Sequence, residues 1–288
     1  MKRSFGQLLA VFLIWGLSGC NEATDPEAPA AVYSRLVSLA PNLTELVFAA
    51  GAGDTLVGVS AYSDYPPAAR ELPLVGDAFS VDQEQLALLR PDALLVWESG
   101  MPEHVIDDLR QAGYRVELIR TRSLQDVAIA LRRIGEITGH SDDAEAAADE
   151  FVAGLEALKQ QYANAPSISV FYQVYQRPLY TINGEHYVSE LIQLCGGRNI
   201  FSDLHALAPA ISVEAVIERD PEVMLASTDA GDDAFTEWQR WPGLSAIQNG
   251  NLYMMPADSI GRGTPRLLAA GESVCRALQE AREKRRAG

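Results

Sequence analysis

Short apolar runs alternate with amphipathic stretches through most of this 288-residue chain. In the first half, Arg35 to Leu39, Leu56 to Val59, Ala93 to Trp97 and Arg115 to Ile119 are short runs bounded by Pro, Gly and Asp, and they predict strands. Helical patterns lie between them. Leu43 to Ala50 stops at Gly51-Ala52-Gly53, and Asn42 with Glu45 has the spacing of a capping box. Ser80 is placed to cap a helix running through Leu89, ended by Pro91, and 102–112 and 123–138 complete the series. The second half follows the same order. Ser167 to Tyr172, Val223 to Ala226 and Leu252 to Met255 predict strands. Val188 to Leu194, Ser212 to Arg219 and 264–283 predict helices, and Trp238 to Ile247 leads into the last strand. Such alternation argues for parallel βα units.

Between the halves lies Ser141 to Pro166, which predicts one long helix. Ser141 or Asp142 is placed to cap it, with Glu145 at capping-box spacing from Asp142, and Pro166 ends it. Phe151, Leu155, Leu158 and Tyr162 fall on one narrow face. About 22 residues at roughly 1.5 Å each span about 33 Å, near the width of a small domain. The helix reads as a strut between two lobes, with one more surface helix of a single domain as the alternative.

The halves also resemble each other in detail. Thr44-Glu45-Leu46-Val47 before Gly51 parallels Ser189-Glu190-Leu191-Ile192 before Gly196. Glu84, Pro91, Asp92 and Leu95 recur 130 residues later as Glu214, Pro221, Glu222 and Leu225. A diverged duplication is the expectation. The fold class is α/β: two similar lobes, each a mainly parallel sheet with flanking helices, joined by a single long rigid helix. The expected boundaries are 33–140, 141–165 and 166–288. Glu84 and Glu214 then hold equivalent places at the start of short helices. Either each favours its own helix N-terminus, or the two are acidic knobs that grip a two-part basic partner.

Composition narrows the function. A net charge of −16 and no large basic patch exclude a nucleic-acid binder. The basic run Arg282, Lys284, Arg285 and Arg286 reads as a solvated helix end. Residues 1–19 carry Lys2, Arg3 and an apolar stretch from Leu8 to Leu17, the pattern of a signal peptide. Leu17-Ser18-Gly19-Cys20 resembles a bacterial lipobox, implying cleavage before Cys20 and a lipid on its thiol. An ordinary secretory signal is the alternative. Residues 20–32 read as a tether. In an exported chain Cys195 and Cys275 are then left as a disulfide pair or as two buried thiols.

Catalytic patterns are absent: no GxSxG, HExxH or P-loop occurs, and the four histidines are scattered. No enzyme, cofactor or resident metal is expected: His205 could join a metal site only if acidic residues converge on it from the other lobe, and a lone loop histidine is more often solvent-exposed. Aromatic residues in loops carry more information. Tyr62, Tyr65, Phe79, Trp97, Tyr172 and Tyr175 fall near the carboxyl ends of predicted strands, where parallel α/β lobes bind ligands. An aromatic cleft suits a large, flat, partly apolar molecule. Asp258 to Arg262 follows the last strand and should reach the same cleft.

The sequence VSLAPNLTELVFAAG, followed by GVSAYSDYPP, LLRPDALLVW, LIQLCGGRNIF and DSIGRGTPRLLAAGESVC, resembles the helical-backbone substrate-binding proteins of ABC importers, in particular their cobalamin-binding branch. The resemblance covers about residues 35–280. It implies capture and handover of a corrinoid without covalent change. It implies ligand contacts from Tyr62, Phe79, Trp97 and the loop of Asp258, Ser259, Ile260, Gly261 and Arg262. Glu84 and Glu214 would dock onto arginines of the permease of a permease–ATPase complex, and Cys195 and Cys275 would form the family disulfide. The expected protein is a periplasmic monomer, anchored to a membrane by lipid at Cys20. Haem or a ferric siderophore is the alternative cargo. Where the family carries tryptophans, this chain has Ala78 beside Phe79, and about Ala208; Trp97 is retained.

Overall fold

A computed structural model describes residues 32–77, 80–231 and 233–287. The expectations for residues 1–31, which include the leader, Cys20 and most of the tether, lie outside the described residues, as do Ala78 and Phe79.

The N-terminal lobe runs β1 (Leu36–Ser38), α1 (Pro41–Ala49), β2 (Leu56–Val59), α2 (Gln83–Leu89), β3 (Ala93–Trp97), α3 (Glu103–Gln111), β4 (Val116–Ile119) and α4 (Leu124–Thr138). After α5 (Ser141–Tyr162) the C-terminal lobe runs β5 (Ile168–Gln173), α6 (Tyr187–Leu194), β6 (Gly197–Asn199), α7 (Val213–Arg219), β7 (Val223–Ser227), α8 (Ser245–Gln248), β8 (Leu252–Met255), α9 (Ala257–Ile260) and α10 (Leu267–Ala287). Each lobe holds a four-stranded parallel sheet, in the orders β2-β1-β3-β4 and β6-β5-β7-β8. The two orders are the same when β5 is matched to β1. Central strands β1, β5 and β7 are buried along their whole length, as helices on both faces require.

The internal repeat is physical. Arg90 and Asp220 both end their helices in the left-handed conformation, at φ 46° and 38°. Asp92 then accepts hydrogen bonds from the Ser34 and Arg35 amides, and Glu222 accepts one from the Ser169 amide. In each lobe the carboxylate after the proline fastens a helix end to the strand that opens the sheet.

Several local expectations change. Asp82, not Ser80, caps α2, and Ser212 caps α7 as expected. No capping box forms at Asn42: Ala40 is the N-cap, Pro41 fills the first turn, and the Glu45 side chain is used elsewhere. Nor does Ser141 or Asp142 cap α5. His140 takes that position without a side-chain capping bond, and Glu145 pairs with Arg132. Strand β6 has no sequence signal, because Gly-Arg-Asn lacks an apolar pattern. Tyr172 is buried in the core rather than exposed in a cleft, and burial pushes its hydroxyl pKa well up. Arg282 is fully buried and donates to the Pro166 and Cys195 carbonyls. Arg285 reaches Glu222. The basic end of α10 is therefore folded back onto the lobe.

Helix α5 is not a bare rod. Its first half lies antiparallel along α4. Gly135 lets the backbones approach, since a Cβ there would sit 2.4 Å from that of Ala144. Arg132 bridges to Glu145 and Asp149, both at 2.8 Å. Its second half packs on the C-terminal lobe, Leu158 lying against Gly271 of α10. Phe151 and Leu158 are buried, Leu155 and Tyr162 are half-buried, and Ala144 and Ala148 extend the stripe. One hydrophobic core thus runs from α1 through α5 to α10. Cys195 and Cys275 form a disulfide between the end of α6 and the middle of α10. Closing an 80-residue separation restricts the unfolded chain by about 4–5 kcal/mol in the loop-entropy account.

His186 caps α6 through Nδ1, which accepts from the Val188 amide. Burial lowers its pKa from 6.5 to about 4. The native state therefore holds the neutral imidazole, and its contribution to stability is complete above pH 6.5 and lost as pH falls through 4. The expected loss is roughly 3 kcal/mol. Urea unfolding between pH 4 and 7 should show this slope, and His186→Asn, which retains a cap, should flatten it.

Candidate functional site

In the N-terminal sheet the order reverses between β1 and β3, so the loops leaving these strands diverge and leave a crevice. A cavity of about 370 Å³ occupies that place. Leu39, Ala40 and Pro41 line it from the end of β1, Ser60 to Tyr62 from the end of β2, and Trp97, Gly100 and Met101 from the end of β3. Trp97 is half-buried at the last position of its strand, where its ring forms a wall. Tyr62 is 79% exposed and has φ 66°, a left-handed conformation unusual for a bulky residue. Tyr65, in the same loop, is also exposed.

The segment after β8 reaches the same Tyr62 loop. Asp258 is exposed, Ser259 is half-buried and Gly261 is exposed. Ile260 departs from expectation: its side chain is fully buried in the main core and is not available to a ligand. Arg262 departs too. Nη1 donates to Glu45 Oε1 at 2.7 Å and to Asp64 Oδ1 at 2.8 Å, and Nη2 donates to the Tyr62 carbonyl at 3.1 Å. These contacts bring the Tyr62 loop and the Asp258–Arg262 segment together from opposite lobes. Burial lowers the Arg262 pKa, but Glu45 and Asp64 outweigh it and the net shift is upward. Asp64 is shifted down: burial raises it, and the Arg262 hydrogen bond and charge prevail.

Further charged residues join the lobes with no local sequence signal of that role. Glu45 is buried and receives both Arg262 and Arg266, the latter through two nitrogens at 3.0 and 2.7 Å. Arg266 also stacks over the Tyr65 ring at 4.3 Å. On the other side of the duplication, Glu190 of α6 accepts from the Leu124 amide at the start of α4, at 2.9 Å. The two repeat-related glutamates therefore each reach from the first helix of one lobe to the start of the last helix of the other. Their sequence parallel was legible; their purpose required the third dimension. Between these contacts Gly263 lies so close to Thr121 that a Cβ would meet the threonine Cβ at 2.7 Å.

Glu84 and Glu214 are both exposed, each in the first turn of its seven-residue helix. No group of three or more His, Cys, Asp or Glu is arranged to hold a metal among the described residues. A larger groove of about 800 Å³ lies away from the strand ends, among α4, α5 and α6, with Ile129, Val152 and Leu155 in its wall. It contains none of the expected ligand residues.

Residues 36–259 match the family described as periplasmic binding protein. The chain belongs to that family. Among periplasmic binding proteins, it is 37% identical over 251 residues to the vitamin B12-binding protein of Vibrio cholerae serotype O1, covering 87% of this chain and 91% of the relative. It is 35% identical over 267 residues to the vitamin B12-binding protein of Vibrio campbellii, covering 92% and 95%. The crystal structure of the periplasmic vitamin B12 binding protein of Vibrio cholerae superposes with a TM-score of 0.78 at 37% identity, covering 87% of this chain and 98% of that one. A periplasmic heme binding protein from Pseudomonas aeruginosa gives 0.74 at 26% identity, covering 85% and 92%. This periplasmic binding protein is thus a binder by family, not an enzyme.

Proposed function

We propose that this periplasmic binding protein captures cobalamin or a related corrinoid between its lobes and hands it to the permease of an ABC importer. The observation that carries this reading is the meeting of the Tyr62 loop and the Asp258–Arg262 segment beside the Trp97 cavity. The likeness to vitamin B12-binding proteins along most of the chain supports the choice of cargo. Tyr62, Trp97 and Phe79 would supply apolar contact, and Asp258, Ser259 and the Gly261 backbone would bond the polar rim. Lipid at Cys20 would hold the chain to a membrane through 20–32, with 33–140 and 166–288 as lobes and 141–165 as the link. The chain would act as a monomer.

Titration with cyanocobalamin and, separately, with haemin tests the cargo. Cyanocobalamin should quench the Trp97 emission, identified by its loss in Trp97→Phe, with a Kd below about 10 μM, roughly −7 kcal/mol. Tyr62→Ala should weaken binding by about tenfold or more, near 1.4 kcal/mol. Quenching by haemin alone would transfer the site to haem, and binding of neither would remove the import reading.

Glu84 and Glu214 stand exposed on matched helices and would dock onto basic residues of the permease. In cells that depend on this importer, Glu84→Ala with Glu214→Ala should abolish corrinoid uptake while Kd stays within about twofold, since both carboxylates lie outside the cleft. A change in Kd instead would contradict docking. Fractionation of the same cells should place the wild-type chain with membranes and Cys20→Ala in the soluble periplasm; a soluble wild type would contradict the anchor.

A further inference from the structure

Arg262 and Arg266 belong to the C-terminal lobe, yet their guanidinium contacts lie in the N-terminal lobe. Arg266 holds Glu45 through two nitrogens, and Arg262 shares that carboxylate and adds Asp64. The cluster is charge-balanced: two arginines, one buried glutamate and one partly exposed aspartate. Bidentate, charge-assisted bonds of this kind fix direction as well as distance. What they fix is one loop. Arg262 holds the Tyr62 carbonyl and the Asp64 carboxylate, and Arg266 covers the Tyr65 ring.

The local sequence does not favour the shape of that loop. Tyr62 sits at φ 66°, where an L-residue with a large side chain is disfavoured, and its ring is largely exposed, so packing does little to keep it there. Its own lobe holds the loop at Ser60, Ala61 and Ser63 and at the Asp64 carbonyl, and the opposite lobe adds the bonds to the Tyr62 carbonyl and the Asp64 carboxylate and the cover over Tyr65. Glu45 is 3% exposed, and the Arg262 and Arg266 side chains are 16% and 24% exposed, so the bonds are sheltered from competing water and salt.

We propose that Arg262 and Arg266, seated on Glu45, are positioning residues of the ligand site: the C-terminal lobe holds the aromatic loop of the N-terminal lobe in its binding shape. Closure of the lobes and order of the loop are then one event. Arg262 acts on the ligand through Tyr62 rather than by touching it. The affinity part of this inference rests on Tyr62 being a ligand contact, as set out above; the loop part does not.

The test has two arms. In the ligand-free protein, amide hydrogen exchange of residues 60–65 should speed up by about tenfold or more in Glu45→Gln, with exchange in β5 and β7 unchanged. Unchanged exchange at 60–65 would overturn the proposal whatever the cargo proves to be. In the second arm, cyanocobalamin affinity is measured for wild type, Glu45→Gln, Tyr62→Ala and the double variant. Glu45→Gln should weaken binding by about tenfold in the wild-type background, mainly through faster release, and by less than about twofold once Tyr62 is gone. Additive losses would mean a general structural role and overturn the positioning role. If Glu45→Gln does not fold, Arg266→Lys, which keeps the charge but loses the paired bonds and the stacking, takes its place in both arms with the same expected results. Failure of wild type to bind a corrinoid would count against the cargo reading and leave the first arm to decide the loop.

Discussion

The interaction on which this architecture turns is the carboxylate of Glu45, buried in one lobe and held by two arginines of the other. A buried charge is costly unless it is paired and hydrogen-bonded, and removing one partner leaves the others uncompensated. Glu45 is satisfied only when the lobes are together. The hydrophobic core carries the same message. It is continuous through α5, and the disulfide and Arg282 fasten α10 to the ends of α5 and α6. Apposed lobes are therefore built into the packing as well as into the electrostatics.

The second glutamate completes the scheme. Glu190 accepts from a backbone amide at the start of α4, where the partial positive charge of the helix end favours a carboxylate. Burial raises its pKa most, the Leu124 amide opposes, and nearby Asp126 adds to the rise. One duplicated position thus yields two crossings of unequal character: an ion-paired one beside the aromatic loop, and an amide-bonded one near α5. The ionic crossing lies at the Tyr62 loop, which lines the Trp97 cavity, and the other lies beside the helical link.

Much of this was legible in the sequence because the determinants are local. Continuous apolar runs ending at Pro, Gly and Asp gave the strands, and the parallel between Glu84–Leu95 and Glu214–Leu225 foretold two matching sheets. The strand ends placed Tyr62 and Trp97 beside one cavity. What failed was the assignment of charged side chains to local duties. Glu45 and Glu145 both have capping-box spacing, yet both reach partners distant in sequence. Arg262 looked like a rim donor and Arg282 like a solvated tail residue, yet each is committed inside the fold. Spacing reports which residues share a helix face; it does not report what the other lobe brings to that face. Ile260 failed for a related reason, since a four-residue helix turns one of its side chains into the core.

The central claim is that a bulky cargo sits between the Tyr62 loop and the segment after β8, at the reversal of the N-terminal sheet. A crystal structure of the cyanocobalamin complex tests it most directly. The account predicts the corrinoid against Tyr62 and Trp97 on one side and Asp258 on the other, with Arg262 and Arg266 still on Glu45. A corrinoid in the groove among α4, α5 and α6, or one that touches a single lobe, would contradict it.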